Sequence, residues 1–403
     1  MSDKIDQSWL KKPQLQTLLA LLQENGEEAR VNGGAVRNAI MEMPVNDVDV
    51  STTLVPRDVI LRMKAAGHKT VPTGIEHGTV TVIIDGEAYE VTTLRSDVET
   101  DGRHATVLYG RDWEVDARRR DLTMNALYCD ADGKVYDPLG GMPDILSKTV
   151  RFIDDAETRI REDYLRILRF FRFFAWYGEF RPDAEGLKAS ARLKDELGTL
   201  SVERIWQELS KLFAAVDPSR AILWMRQTGV LTAVLPESEK WGIDSLPALM
   251  TGEQEHNWSP DPLLRMMAIV PPNPDKMRSL AGRLKLPNKV RDRLIDWAET
   301  DMPDADWKQL EFEKWLYRAK QQGAEDRLRL AVVVADDAAK KHLRQLKWLK
   351  RYERPVFPIK GQDLLNQGVQ AGPQVSEIMK KLENEWIEGG FKKSRDEMLA
   401  TLD

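Results

Sequence analysis

A single cysteine, Cys129, is all the thiol that the 403-residue chain contains. That excludes an internal disulfide framework and thiolate zinc sites and fits a reducing compartment. A core position is the ordinary use of such a residue. No apolar run is longer than Leu330 to Ala335, far short of the ~20 residues that a membrane-spanning helix needs. The opening MSDKIDQSWLKK holds neither an apolar signal region nor an Arg-rich transit peptide. The five histidines, His68, His77, His104, His256 and His342, are scattered, and none is followed by aspartate. No appended His–Asp phosphohydrolase site is therefore expected. Nor is positive charge in excess, since 59 Lys and Arg against 65 Asp and Glu give a net charge of -6. Net charge averages over the surface, so this excludes only a uniformly basic nucleic-acid binder. A cytoplasmic protein of more than one domain is expected.

The residues that are present fall into two regions. PQLQTLLALLQ reads as an amphipathic helix, ARVNGG as a strand ending in a turn, AVRNAIM as a short helix and DVDVST as a strand. TVTVII and EAYEVTTL flank Asp85-Gly86, a strong hairpin signal. This predicts an α/β region with a small mixed sheet. From about residue 155 onward helical periodicity takes over, in DYLRILRFFRFFAWY, VERIWQELSKLFAAV and PSRAILWMRQTGVL. Breaks bearing Pro and Gly fall near 216–218, 230–262 and 270–274. An α/β head followed by a long all-α arm is the expected α+β architecture.

Asp47 and Asp49 sit two apart in NDVDV. On a strand that spacing points both carboxylates to one face. Like charges so placed are costly unless a cation joins them, and an oxygen-rich site suits Mg²⁺, which keeps waters and substrate phosphates as its other ligands. About a dozen residues earlier, Gly33 and Gly34 precede a helix that carries Arg37. Backbone N–H groups at such a turn form an anion cradle, and an arginine fork can grip a phosphate. The pattern predicts a triphosphate cradle beside a metal pair.

On these residues the chain resembles the nucleotidyltransferase superfamily that includes DNA polymerase β. Within it, GGAVRN and DVDVSTT look like the signature of the class II tRNA nucleotidyltransferases, the CCA-adding enzymes, whose relatives include the bacterial poly(A) polymerases. The signature usually carries Asp where this chain has Asn38. The resemblance implies a polymerase-β-like head over 1–148, a helical neck over 149–216, a helical body over 217–340 and a tRNA-binding tail over 341–403. RRDLTMNAL, Arg119 to Leu127, is similar to the ribose-reading motif, which places Arg119 or Arg120, Asp121 and Asn125 on the sugar and phosphates. DPLGGMPDI resembles the hinge between head and neck, with Gly140 and Gly141 as its flexible backbone.

RIREDYLRILRFFRF contains Glu162, Asp163 and Arg166 in the family's EDxxR pattern. On one helix all three share a face. The resemblance assigns base recognition to Asp163 and Arg166, positioning of the arginine to Glu162, and a nucleotide contact to Arg169. Cytosine and adenine each offer an exocyclic amine beside an acceptor nitrogen, which a carboxylate and an arginine can meet; uracil and guanine put a carbonyl where the amine would be. SVERIWQELSK resembles the next motif, and Glu203, Arg204 and Glu208 read as structural braces of the neck. Glu90, in YEVTTLR, is either a third catalytic and metal carboxylate or a partner that supports the other two. The segment 97–118 matches the family's flexible loop before the ribose motif, and Asp101, Gly102 and Arg103 argue against a truncated CC-only enzyme.

In AAKKHLRQLKWLKRYERP, Lys340, Arg344, Lys347, Arg351 and Arg354 recur at steps of four, three, four and three. That predicts one basic helix face able to follow an RNA backbone. PIKGQDLLNQGVQAGPQVSEIMKKLENEW resembles the C-terminal element of many bacterial tRNA nucleotidyltransferases. The expected activity is template-independent addition of CCA to tRNA 3′ ends from CTP and ATP, with Mg²⁺ on Asp47 and Asp49. An A-adding enzyme, a poly(A) polymerase and, more distantly, a non-catalytic RNA-binding protein are the alternatives. Neither a membrane nor a protein partner is implied.

Overall fold

The computed structural model describes residues 4–101, 104–334 and 337–402. The chain divides into two compact units, Met1–Pro236 and Glu237–Asp403. Among the described residues no helix is long and apolar enough to cross a membrane.

The first unit holds the strands β1 (Ala29–Asn32), β2 (Asp49–Thr52), β3 (Lys69–Gly74), β4 (Thr79–Ile84), β5 (Glu87–Thr93), β6 (Arg95–Asp101), β7 (His104–Tyr109), β8 (Tyr128–Cys129) and β9 (Val135–Tyr136). Seven of them make one sheet in the order β3-β4-β5-β2-β1-β8-β9, while β6 and β7 pair separately. Neighbours in the larger sheet are antiparallel except β2 and β5, which run parallel and set Asp49 beside Glu90. β4 alternates half-buried and buried positions along its length, the pattern of a strand with one face on a core. Asp85 and Gly86 join it to β5 with φ of 48° and 85°, the mirror-image two-residue turn that matches strand twist. The helix Pro13–Leu22 covers the sheet with Leu15, Leu18, Leu19 and Leu22 at helical spacing, each buried leucine contributing about 1.5–3 kcal/mol. Cys129 is buried on β8, where loss of hydration pushes its thiol up to about 12. It is core, as its isolation suggested.

Helices follow. Leu165–Tyr177 buries Leu165, Ile167, Leu168, Phe170, Phe171, Phe173 and Phe174. Arg166, Arg169 and Arg172 recur every three residues and leave the helix along one strip. Val202–Phe213 packs on it and supplies Arg204 and Glu208. The expected boundary at 216 falls inside this first unit.

Several local expectations change. β2 begins at Asp49, so Asp47 lies in the irregular segment before the strand and the pair does not stand within one strand, although both side chains border one cleft. The helix Ala156–Glu162 ends at Asp163, which is extended at φ -157° and ψ 107°, and a new helix starts at Leu165. The EDxxR residues therefore straddle a helix break instead of sharing one helix. The segment 97–118 is no plain loop, for it forms most of the β6–β7 hairpin and then the helix Trp113–Arg118, capped by Asp112. Gly102 and Arg103 lie outside the described residues, as does the side chain of Asp101. The expected hinge is pinned. Asp137 accepts hydrogen bonds from Gly141 N at 2.7 Å and Met142 N at 2.8 Å. A Cβ on Gly141 would stand 2.3 Å from Thr123 O, so glycine there serves close approach.

In the second unit the regular elements are helices among the described residues. Arg265 and Glu253 form a buried pair at 2.7 Å, and Arg293 joins Asp261 to Asp326. Near the C-terminus Leu364, Leu382, Trp386, Ile387, Met398 and Leu399 gather with Ile359 and Tyr317 into one core. The helix Ala339–Leu349 ends before Arg351 and Arg354. Pro355 disfavours helix at Arg354, the residue before it. Lys340, Arg344 and Lys347 thus form an exposed helical strip, whereas Arg354 turns back to donate to Tyr317 O at 2.9 Å and lies on the Tyr317 ring. The basic face is real but shorter than the spacing predicted.

Candidate active site

The first unit carries a cleft of about 490 Å³ lined by seven arginines and three aspartates. In a chain of net charge -6 this concentration of cations focuses positive potential at one place. One wall begins where β1 runs into Gly33. Its φ of 60° suits glycine alone at little cost, and a Cβ there would stand 3.2 Å from Arg120 Nη1. Gly34 opens the helix Gly34–Ile40, and both glycines line the cleft. One turn along, Arg37 is buried. It donates to Asn38 Oδ1, to Asn125 Oδ1 at 2.5 Å and to Tyr177 Oη at 2.8 Å. It also lies 3.9 Å from the centre of the Tyr177 ring. Burial pulls its guanidinium below its ordinary value, yet arginine stays charged.

The next wall is built on Asp121, which is buried. It accepts from Arg169 Nε at 2.6 Å, from Asn125 Nδ2 at 3.1 Å and from Leu122 N at 2.9 Å. Burial alone would raise its carboxyl, but the Arg169 guanidinium and these donors hold it well below the usual carboxylate range. Arg119 and Arg120 both pair with the buried Asp116, which also accepts from Tyr128 Oη at 2.7 Å. Here too burial works against ionisation and the two arginines outweigh it, lowering Asp116. Arg120 further donates to Asn32 Oδ1 at 3.0 Å.

At the far end stand Asp163 and Arg166. Arg166 donates to Glu162 Oε2 at 2.6 Å, to Arg159 O at 3.0 Å and to Arg119 O at 3.2 Å. Glu162 itself does not line the cleft; it backs Arg166. Asp163 accepts from Leu165 N, starting the new helix, and from Arg204 Nη2 at 2.6 Å. Arg172 pairs with Glu208 at 2.5 Å.

Asp49 lines this cleft and also an adjoining one of about 500 Å³, where it meets Asp47 and Glu90. Asp49 is raised above the ordinary carboxylate value. Loss of hydration is the first cause, the Glu90 carboxylate adds to it, Arg120 opposes it, and Asp47 adds a little more. Among the described residues no three His, Cys, Asp or Glu side chains are gathered so as to hold a metal ion by themselves. Two carboxylates with a third alongside, open to a cleft, suit a hard cation completed by water and phosphate.

The cleft thus gathers Gly33, Gly34, Arg37, Asp49, Arg119, Arg120, Asp121, Asn125, Asp163, Arg166 and Arg169, while Asp47 and Glu90 stand in the adjoining cleft. Sequence reasoning did not single out Asn32, Arg172 or Phe173, and it gave Arg204 a bracing role only. Arg172 was visible as the third step of the arginine strip. The contact from Arg204 to Asp163 depends on two helices packing and had no local signal. The basic strip, in the second unit, has its own cavity of about 260 Å³, where Lys347 and Lys350 meet Trp258, His256 and Arg329.

Residues 29–151 match the family model described as the poly A polymerase head domain, and residues 179–241 match a probable RNA- and SrmB-binding site of polymerase A. The mitochondrial CCA tRNA nucleotidyltransferase 1 of Danio rerio is 33% identical over 96% of this chain and 89% of its own length. The CCA-adding enzyme of Geobacillus stearothermophilus is 31% identical over 97% of both chains. The crystal structure of the Bacillus stearothermophilus CCA-adding enzyme in complex with CTP superposes with a TM-score of 0.75 at 27% identity, covering 97% of each chain.

Proposed function

Since this chain belongs to the family of CCA-adding tRNA nucleotidyltransferases, we propose that it adds C, C and A to the 3′ end of tRNA from CTP and ATP without a nucleic-acid template. The observation that carries this is the arginine-lined cleft, which runs from the Gly33–Gly34 turn past Asp49 to Asp163 and Arg166. Nucleotidyl transfer joins the 3′-oxygen to the α-phosphorus and releases pyrophosphate. Gly33, Gly34 and Arg37 receive the triphosphate. Asp121 and Asn125, fixed by Arg169 and Arg37, read the ribose, with Arg119 and Arg120 beside them. Asp163 accepts from the base amine and Arg166 donates to the adjacent ring nitrogen, which selects C and A over U and G.

The family's chemistry is metal-dependent, and Mg²⁺ is the ion we assign. Asp47 and Asp49 would hold it, with Glu90 beside them; bound there, it would supply activation of the attacking hydroxyl and stabilisation of charge on the leaving pyrophosphate. We assign catalysis to 1–148, nucleotide recognition to 149–216, a helical body to 217–340 and tRNA grip to 341–403. The cytoplasm is the compartment that composition favours.

Three tRNA transcripts, lacking CCA, ending in CC and complete, are incubated with CTP, ATP or both. Ordered growth to CCA and then a stop is expected. Growth from the CC end alone would mean an A-adding enzyme, and a long A ladder a poly(A) polymerase. A second test concerns the basic strip. Replacing Lys340, Arg344 and Lys347 together by Glu is expected to raise the KM for tRNA at least about tenfold. It should also flatten the salt dependence, by about 0.7–0.9 in log–log slope for each phosphate left without its cation. The KM for CTP should not change. An unchanged salt slope would remove these residues from RNA binding.

A further inference from the structure

Asp49 stands between two clefts of opposite chemistry. The first carries seven arginines and, as proposed, takes the incoming nucleotide. The second, of about 500 Å³, counts Asp47, Asp49, Glu87 and Glu90 among its described lining residues, against one cation, Lys12. That cation is engaged, since Lys12 Nζ donates to the two Glu87 oxygens at 2.8 and 3.0 Å. In nucleotidyl transfer the attacking and leaving oxygens lie roughly in line at the phosphorus. With the triphosphate at Gly33, Gly34 and Arg37, the side left for the attacking 3′-oxygen is the second cleft, which meets the first at Asp49.

An RNA backbone gains little from side chains of this sign. Aromatic surface is the other general grip on single-stranded RNA: bases stack on it, and because every base has a π-face the grip tolerates any sequence. Two aromatic residues line the second cleft. Tyr89 is 3% exposed, whereas Trp9 is only half-buried. Trp9 stands in the turn before the helix Pro13–Leu22, and its ring is held in place. Trp9 Nε1 donates to Gln7 Oε1 at 2.7 Å, and Gln7 Nε2 donates to Ala39 O at 3.0 Å. A backbone carbonyl can receive only the nitrogen end of the amide, so the oxygen end is left for the indole. The ring is thereby tied to the helix Gly34–Ile40, which carries Arg37. We propose that Trp9 is an acceptor-binding residue, on which a base of the tRNA's single-stranded 3′ end stacks as the terminal 3′-hydroxyl enters the second cleft. Tolerance of sequence suits the task, because the end to be extended changes from the base before CCA to C and then to C again. The inference rests on the transferase reading.

The experiment measures steady-state extension in Mg²⁺ buffer by the wild-type chain, Trp9→Ala and Trp9→Phe. The acceptors are tRNA transcripts lacking CCA, with each of the four bases at the 3′ end, and two versions with an abasic site at the last or the next-to-last nucleotide. Trp9→Ala is expected to raise the KM for tRNA about tenfold or more, by a similar factor for all four end bases, with the KM for CTP unchanged. Trp9→Phe, which keeps a smaller ring, should stay within about threefold of wild type. The abasic acceptors separate stacking from a structural role. The wild-type chain should lose about tenfold on one of them, and Trp9→Ala no more than about twofold further on that same acceptor, because base and ring form one contact. Trp9→Leu, apolar and without a π-face, takes the place of Trp9→Ala in this cycle if melting curves show the alanine variant unfolding early. Losses that multiply on both abasic acceptors, a loss confined to one end base, or extension of tRNA as by wild type would overturn the inference. No extension of any acceptor by the wild-type chain would instead fell the transferase reading itself.

Discussion

Replacing Asp49 by Ala is expected to reduce nucleotide addition by about 10²–10³-fold, the scale of losing one preorganised electrostatic contact to developing charge. Affinity for tRNA should stay within about twofold of wild type, because no change falls on the basic strip. The geometry gives the reason. Asp49 opens β2, sits beside Glu90 in parallel register and borders both clefts. Among the described residues it is the one carboxylate that touches both the nucleotide side and the side holding Asp47. Glu90→Ala separates the two roles left open for that residue: a loss matching that of Asp49→Ala makes it a ligand, whereas a loss of about 10–100-fold marks a supporting partner. Single-turnover incorporation of CTP, with tRNA binding measured in parallel, checks both. Full activity of Asp49→Ala would remove the metal assignment.

Base choice should fail differently. Asp163→Ala and Arg166→Ala are expected to cut kcat/KM for CTP and ATP while leaving UTP and GTP little changed, narrowing discrimination by about 10–100-fold. That is the worth of one hydrogen bond to a charged group, about 1.5–3 kcal/mol. Arg166 also carries Glu162 and two backbone carbonyls, so its loss disturbs more than the base edge. Arg166→Lys controls for this: it keeps the charge but not the fork. Asp163 is held by Arg204, so Arg204→Ala should loosen the same selectivity more mildly. Unchanged ratios among the four nucleotides would exclude this end of the cleft from base reading.

Much of the head was legible because its signals are local. The Asp85-Gly86 turn, the alternating TVTVII and the glycines before AVRNAIM each act within a few residues. The parallel pairing of β2 with β5 was not legible, since it is decided by strands some forty residues apart, and so the place of Glu90 stayed open. Asp47 was assigned to a strand because the two-residue spacing of NDVDV fits a pleat, but the strand starts later. The break at Asp163 was hidden because ExxxR spacing reads as continuous helix, while the Asp163 side chain bonds its own downstream backbone and competes with helix. Arg351 and Arg354 were extrapolated past the helix end at Leu349, which no local signal marks. The site residues themselves were reached mostly through the family resemblance; their partners came from packing.

The link between Asp121 and Arg169 has a geometric consequence. It ties the Asp121 wall of the cleft to the helix Leu165–Tyr177 through an arginine that keeps 32% of its side chain exposed. Arg169 and Arg166 leave the same helix, so the partner of Asp121 and the arginine at the far end of the cleft are carried on one rod, and a shift of that helix would move both ends of the cleft at once.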